Sequence, residues 1–378
     1  MIYLDYAAAT PVRKEVRKIV AKAEKYFANP SSKHDAGDRA QWMIEGAREK
    51  IKQILNAKND DKIIFTSSGT ESINLALKGN AHAYKKKGKH IITSKVEHKA
   101  VLETCKFLEQ EGFSVTYLDV DQFGRVNPKD VEKAVTKKTI LISVMYVNNE
   151  VGTIQPIKEI AAIAKKKKVL FHTDACQAGA LDLNVQRLRV DLLTLNSNKI
   201  YGPKGASLLY VREGIELQPL IHGGGQEYGL RSGTENVPAI VGFTKALSLA
   251  QKEKQKENQR LQALQNYFVH QLQKNIPNTS LNGHPTERVP NNVHLSFEGV
   301  EAETILYYLS LRGIYASAGS ACTANEITVS HVLKAMKVPE NLARGSIRFS
   351  LGRRTTKEDL DKVVKILADI LFSLLKIS

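Results

Sequence analysis

Short apolar runs recur from residue 63 to residue 211: IIFT (63–66), HIITS (90–94), SVTYLDVD (114–121), TILISVMYV (139–147), VLFH (169–172), VDLLTL (190–195) and SLLYV (207–211). Runs of this length, with few polar interruptions, fit strands buried on both faces. Between them lie AVLETCKFLEQEG, VNPKDVEKAVTKK and GTIQPIKEIAAIAKKKK, which read as helices, the second starting at its proline. Alternation of strand and helix over this span predicts an α/β fold with a mainly parallel sheet.

The flanks read differently. Residues 1–15 form a short extended arm, YLDYAAATPV, and helical periodicity takes over from 13 to 27. NPSSKHDAG (29–37) is a loop of turn formers in which His34 could face a ligand, followed by a helix over 39–55. After the last strand of the alternating region comes a glycine-rich loop, IHGGGQEYGLRSGTENVPAIVG (221–242), of a length that is often functional. A helix over 241–276, dense in Lys, Glu and Gln, has the pattern of a spine between two domains, and the remainder reads as a smaller α+β domain.

Composition narrows the picture. At 378 residues the chain exceeds what one core usually holds, which predicts two domains. Apolar content of 42% is ordinary for a globular protein, and the longest apolar runs fall well short of the ~20 residues of a membrane span. The opening MIYLDYAAATPVRKEV lacks the pattern of a secretory signal, so a cytoplasmic location is expected. The net charge of +16 is partly lysine in runs at 85–87 and 165–168; a solvated surface explains them, and an acidic partner is the functional alternative. Nucleic acid is not expected, since no binding motif or interleaved aromatic residue accompanies the lysines. The three cysteines, at 105, 176 and 322, form neither a disulfide framework nor a metal-ligand spacing, so no metal site is expected.

Candidate chemistry gathers at the carboxyl ends of the strands, where open α/β sheets bind ligands. One strand ends at Asp174; another delivers Asn196, Ser197, Asn198 and Lys199 before YGPKG. A lysine that forms a Schiff base, with a carboxylate to keep a pyridine nitrogen protonated, is what a pyridoxal phosphate site needs. Such a pair alone is more often a surface ion pair. FTSSGTES places Gly69, Thr70 and Glu71 at a helix start, either a plain N-cap or an anion site. His98 and Asn149 follow two further strands, and convergence of Thr70, His98, Asn149, Asp174 and Lys199 on one sheet edge lifts each above its structural explanation. Cys322, in the small-residue run ASAGSACTANE, reads as a reactive thiol that travels to its substrate; Cys105 reads as core, and Cys176 as a space-filler beside the Asp174 strand end.

These motifs, with VNNEVG, HTDACQ, KIYGPKG, RSGTENVPAIVG and SIRFSLG, resemble the pyridoxal-phosphate-dependent cysteine desulfurases of the NifS/IscS type, in the class V aminotransferase group, nearly end to end. The resemblance implies fold type I: a large domain (16–250) with a mainly parallel seven-stranded sheet, a smaller α+β domain (251–378) carrying the Cys322 loop, and an arm (1–15) packing with the small domain. It implies that Lys199 holds the cofactor and moves the α-proton, Asp174 bonds the pyridine nitrogen, Gln177 the ring hydroxyl, and His98 stacks on the ring. Asn149 would assist at the ring hydroxyl or the substrate carboxylate, and Gly69, Thr70, Asn196 and Asn198 would hold the phosphate end. Thr234 would reach the cofactor of the neighbouring subunit in a homodimer, Arg348 would clamp the carboxylate of L-cysteine, and Cys322 would take the sulfur as a persulfide. His98 is also the candidate base for the Cys322 thiol. Sulfur would pass to an iron–sulfur scaffold protein or another acceptor such as tRNA-thiolation machinery, with Cys322 a transient cluster ligand beside the scaffold.

Three sites depart from the resemblance: the stretch Asn196-Ser197-Asn198-Lys199 replaces a Ser-(Gly/Ala)-His-Lys pattern, Ser68 replaces a glycine, and Tyr228 replaces an arginine. All three are expected near the anion site, with weaker cofactor binding or a reshaped site as the result. The rival readings are a selenocysteine lyase or other class V aminotransferase-type enzyme, and a catalytically weak scaffold of the sulfur-transfer machinery.

Overall fold

The computed structural model describes residues 1–319 and 329–375. Its strands are β1 (Ile2–Tyr3), β2 (Lys62–Thr66), β3 (His90–Ser94), β4 (Ser114–Leu118), β5 (Thr139–Ser143), β6 (Leu170–Asp174), β7 (Leu192–Asn196), β8 (Ser207–Val211), β9 (Thr279–Leu281), β10 (Asn292–Phe297), β11 (Ile314–Tyr315) and β12 (Ser346–Ser350). The seven-stranded sheet has the order β2-β8-β7-β6-β5-β3-β4, and only β8 runs antiparallel to its neighbours. Successive side chains of a strand point to opposite faces. Ile63 and Phe65 of β2 therefore join one apolar core with Ile142, Phe171 and Leu193, while Ile64 joins Ile91, Leu141 and Leu192 in the core on the other face. Burial on both faces is why these strands read as continuous apolar runs.

A second body of structure is built on the antiparallel sheet β9-β10-β12. Its core gathers Val293, Leu295, Ile347 and Phe349 with Leu360, Val363 and Leu367 of the C-terminal helix Lys357–Leu375. The helix Val237–Asn275 serves both bodies: Ile240, Phe243 and Leu247 enter a core of the large sheet, and Leu261, Phe268 and Leu272 enter the second core. It starts four residues before the expected 241, because Asn236 caps it, its Oδ1 accepting from Ala239 N–H at 3.2 Å. The arm pairs β1 with β11 in parallel and sends Leu4 into the second core.

Two further expectations shift for local reasons. The helix expected over 39–55 is Asp35–Leu55, since His34 is its exposed N-cap and accepts from Gly37 N–H at 3.1 Å; His34 lines no ligand cavity described below. The run 139–147 leaves the ladder after Ser143, because Met145 N–H turns to the Glu97 carboxyl at 3.0 Å and Val147 pairs with Ile154 instead. At the lysine run, Lys166 and Lys167 both pair with Glu132 on the surface, at 3.1 and 3.6 Å. No helix among the described residues is long and apolar enough to cross a membrane.

Candidate active site

A cavity of ≈ 230 Å³ opens where the parallel strands end. The turns after β2, β3, β5, β6 and β7 bring Gly69 and Thr70, His98, Asn149, Asp174 with Gln177, and Asn196 with Lys199 to its wall, and Arg348 reaches it from β12. Nine residues singled out from the sequence thus share one space. Ala7 and Ala8 of the arm also line it, as do Ile73, Met145, Val147 and Cys176.

Lys199 lies on a short 3₁₀ turn, Ser197–Lys199, directly after β7, and its Nζ donates to the Ala8 carbonyl at 2.6 Å. The arm is fixed over this turn by Thr10, whose N–H and hydroxyl both reach the Asn198 carbonyl at 2.9 Å, and by Gln177 Nε2, which donates to the Ala7 carbonyl at 3.0 Å. Alanines at 7 and 8 allow that close approach. Asp174 is buried at the end of β6; one of its oxygens accepts from Cys176 N–H at 2.9 Å. Burial pushes the Cys176 thiol well above the ordinary cysteine range, and the Asp174 carboxylate adds to the shift. Cys105, in the core, is pushed up to about 12 by the same desolvation. Both stay thiols at neutral pH and are poor nucleophiles.

His98 caps the helix Lys99–Gln110, its Nδ1 accepting from Ala100 N–H at 3.1 Å. Burial lowers its pKa, so the ring is neutral, and with Nδ1 occupied the proton sits on Nε2. A neutral ring in this tautomer offers a proton rather than taking one. The expected base role toward the Cys322 thiol therefore requires the cap to break. Beneath His98, the Glu97 carboxyl accepts from Ser94 Oγ at 2.6 Å and from Met145 N–H, and full burial raises its pKa to about 8. The sequence carries no periodic signal that would have marked this buried acid.

Arg348 is 2% exposed. Its Nη1 donates to the Asn149 carbonyl and its Nη2 to Asp5, both at 2.9 Å, while Nε is buried with no hydrogen-bond partner among the described residues. A guanidinium held on one side and unsatisfied at Nε suits a carboxylate ligand.

Two predicted site residues, Asn198 and Thr234, stand outside the cavity wall. Asn198 does not line the cavity, and its Oδ1 is buried without a partner among the described residues. Thr234 is exposed on the loop that Arg231 ties to Glu71 at 2.8 Å. Cys322 lies outside the described residues. The departures also separate. Asn196 lines the cavity, whereas Ser68 is occupied as the N-cap of the helix Gly69–Asn74, accepting from Glu71 N–H at 3.2 Å. Tyr228 is half exposed and stacks over Arg48 at 5.0 Å, away from the cavity, contrary to the expectation that all three lie at the anion site.

Residues 2–363 match the family model described as aminotransferase class-V. The chain belongs to this family. Within it, a cysteine desulfurase IscS of Dictyoglomus turgidum is 52% identical over 100% of this chain and 96% of its own length. Another from Methanosarcina thermophila is 49% identical over 100% and 93%. A solved NifS-like protein superposes with a TM-score of 0.92 at 38% identity, over 98% of this chain and 99% of its own. A structure of SspA in complex with cysteine gives 0.80 at 39% identity, over 93% and 99%. The protein is thus a pyridoxal-phosphate-dependent enzyme of the NifS/IscS cysteine desulfurase type, on fold type I.

The class-V cavity suits that cofactor on observations of this chain. A Cβ at Gly69 would stand 3.0 Å from Cys176 Sγ and 3.3 Å from Asn196 Nδ2, so a side chain there would crowd this end of the wall at a helix start. An amine at Lys199 and a carboxylate at Asp174 share the same wall, the pair that a pyridoxal phosphate would use for its aldehyde and its ring nitrogen. When bound, pyridoxal phosphate supplies an electron sink for carbanion chemistry at an amino acid's α-carbon.

Proposed function

We propose that this enzyme moves the sulfur of L-cysteine onto Cys322, releasing L-alanine and leaving a persulfide. The observation that carries the reading is the single cavity in which Lys199, Asp174 and Arg348 meet, in a chain so close to cysteine desulfurases along its whole length. Arg348 binds the substrate carboxylate, and Asn149, tied to it through its carbonyl, sets its reach. Lys199 carries the proton to and from the α-carbon. Asp174 would hold the ring nitrogen's proton, Gln177 and Asn149 the ring hydroxyl, His98 the ring face, and Gly69, Thr70 and Asn196 the phosphate end, while Asn198, outside the cavity lining, would not. The step at sulfur balances without an oxidant: the Cys322 thiolate bonds to the substrate sulfur, the Cβ–S bond breaks, and carbon keeps the electron pair and gains a proton. That both described cysteines are held as thiols supports Cys322 as the nucleophile.

The finer reading is a cytoplasmic homodimer in which exposed Thr234 contributes to the partner's phosphate site, with an arm (1–15), a large domain (16–250) and a small domain (251–378). Sulfur passes from Cys322 to an iron–sulfur scaffold protein, with Cys322 a transient cluster ligand, or to another acceptor.

The test is the visible absorption spectrum of the cofactor-loaded protein before and after L-cysteine, with alanine release assayed in parallel. A band that changes on addition and is missing in Lys199→Ala supports the reading. No band with excess cofactor, or a band indifferent to L-cysteine, overturns it.

A further inference from the structure

The loop between β9 and β10 buries a cation that the reading above leaves without a task. Arg288 is 5% exposed and makes no ion pair among the described residues. Its guanidinium is held by carbonyls instead: Nη1 donates to Asn282 at 3.2 Å, and Nη2 to Val151 and Asn292 at 3.2 and 3.1 Å. Nε is buried with no hydrogen-bond partner among the described residues. Burial pulls the pKa down to about 10, so the side chain is still charged at neutral pH. Keeping a buried charge that only dipoles answer is costly, and a flat fork that grips several carbonyls at once is a guanidinium's geometry, not an ammonium's.

The three carbonyls belong to separate pieces of the fold. Asn282 follows β9, Asn292 opens β10, and Val151 lies in the turn after β5. Arg288 thus ties the small sheet to the turn at the carboxyl end of β5. Two neighbours back the same junction: Asn292 Nδ2 donates to the Glu150 carbonyl at 2.8 Å, and Val289 N–H to the Gly152 carbonyl at 3.0 Å. The turn is internally braced, because Asn148 Oδ1 accepts from both Glu150 N–H and Val151 N–H at 2.9 Å. Within it sits Asn149, whose carbonyl accepts from Arg348 Nη1 at 2.9 Å. Arg348 lies on β12, directly paired with His294 of β10. The grip of Arg288 therefore sets the Asn149 carbonyl against the strand pair that carries Arg348.

We propose that Arg288 is a positioning residue for the substrate carboxylate, holding the turn whose Asn149 carbonyl aims Arg348 into the cavity. The role rests on the desulfurase reading, in which Arg348 clamps that carboxylate, and needs no contact between Arg288 and substrate or cofactor. A clamp aimed by a backbone carbonyl loses affinity when the carbonyl shifts, and only ligands that carry the carboxylate feel the loss.

The experiment titrates cofactor-loaded wild type, Arg288→Met, Arg348→Ala and the double variant with L-cysteine and with cysteamine, which has the same amine and thiol but no carboxylate. Half-saturation is read from the absorbance change, and alanine release with dithiothreitol as sulfur acceptor gives kcat. For Arg288→Met, half-saturation by L-cysteine is expected to rise about tenfold, with cysteamine half-saturation and cofactor loading within about twofold and a smaller change in kcat. In the Arg348→Ala background the same substitution is expected to add less than about twofold, since the group it positions is gone. Equal shifts for the two ligands, an unchanged half-saturation by L-cysteine, or additive effects of the two substitutions would overturn the proposal. Asn292→Ala, which removes the bond to the Glu150 carbonyl, decides by the same readouts if Arg288→Met does not fold. Wild type whose absorbance responds to L-cysteine but that releases no alanine refutes the desulfurase reading alone; the two half-saturations still decide the role of Arg288.

Discussion

Arg348 donates to the Asp5 carboxylate at 2.9 Å across 343 positions of sequence, so the N-terminal arm holds the guanidinium that faces the cavity. The pair is well shielded on the arginine side, and a hydrogen bond to a charged group there contributes about 1.5–3 kcal/mol.

Asp5→Ala is therefore expected to raise the KM for L-cysteine about tenfold with a smaller change in kcat, because the clamp loses its orientation but Lys199 is untouched. Steady-state alanine release measures both. An unchanged or lower KM would mean that Asp5 competes with substrate for Arg348 rather than positioning it.

The two asparagines before Lys199 should separate. Only Asn196 lines the cavity, so Asn196→Ala is expected to weaken pyridoxal phosphate binding about tenfold, the loss of one hydrogen bond to a charged group. Asn198→Ala should leave the dissociation constant within about twofold, since Asn198 does not line the cavity. Fluorescence or absorbance titration of apoprotein distinguishes the two, and equal effects would reverse the assignment.

Glu97 makes a signed pH prediction. Its carboxyl has a folded pKa of about 8 against an ordinary value of 4.5. Between these values the native state keeps a proton that the unfolded chain releases, so stability falls as pH rises from about 4.5 to about 8. Glu97→Gln removes the titration while keeping an acceptor oxygen for Ser94. The drop in melting temperature from pH 5 to pH 8 is expected to be smaller in the variant; an equal or larger drop would show that Glu97 is ionised in the folded protein.

Arg48 and Glu227 form a buried, two-pronged ion pair, with Nη1–Oε2 at 2.9 Å and Nη2–Oε1 at 3.0 Å. Glu227→Ala strands the guanidinium and is expected to cost about 3–5 kcal/mol, read as a lower urea midpoint. A midpoint within error of wild type would mean that Glu45 alone, which also bonds Arg48, compensates.

Much of the site was legible in sequence because strands buried on both faces announce themselves as apolar runs, and in a parallel sheet their ends must lie on one side. Thr70, His98, Asn149, Asp174 and Lys199 follow from that rule, since each lies at or beyond the carboxyl end of a strand, whereas Gln177 and Arg348 came from the family resemblance. Asp5 and Glu97 were not legible. Neither sits in a patterned position, and each matters through a partner distant in sequence or through burial, which the sequence alone does not show.

Boundaries and directions divide in the same way. The sequence alone determined the order of elements, the mainly parallel sheet and the strand-end chemistry, because hydrophobic period is a local property. Which nitrogen of His98 keeps its proton, that Asn196 lines the cavity while Asn198 does not, and that Tyr228 covers Arg48 were decided only in three dimensions. Each depends on a hydrogen-bond partner or a packing neighbour chosen among many, and local composition does not fix that choice.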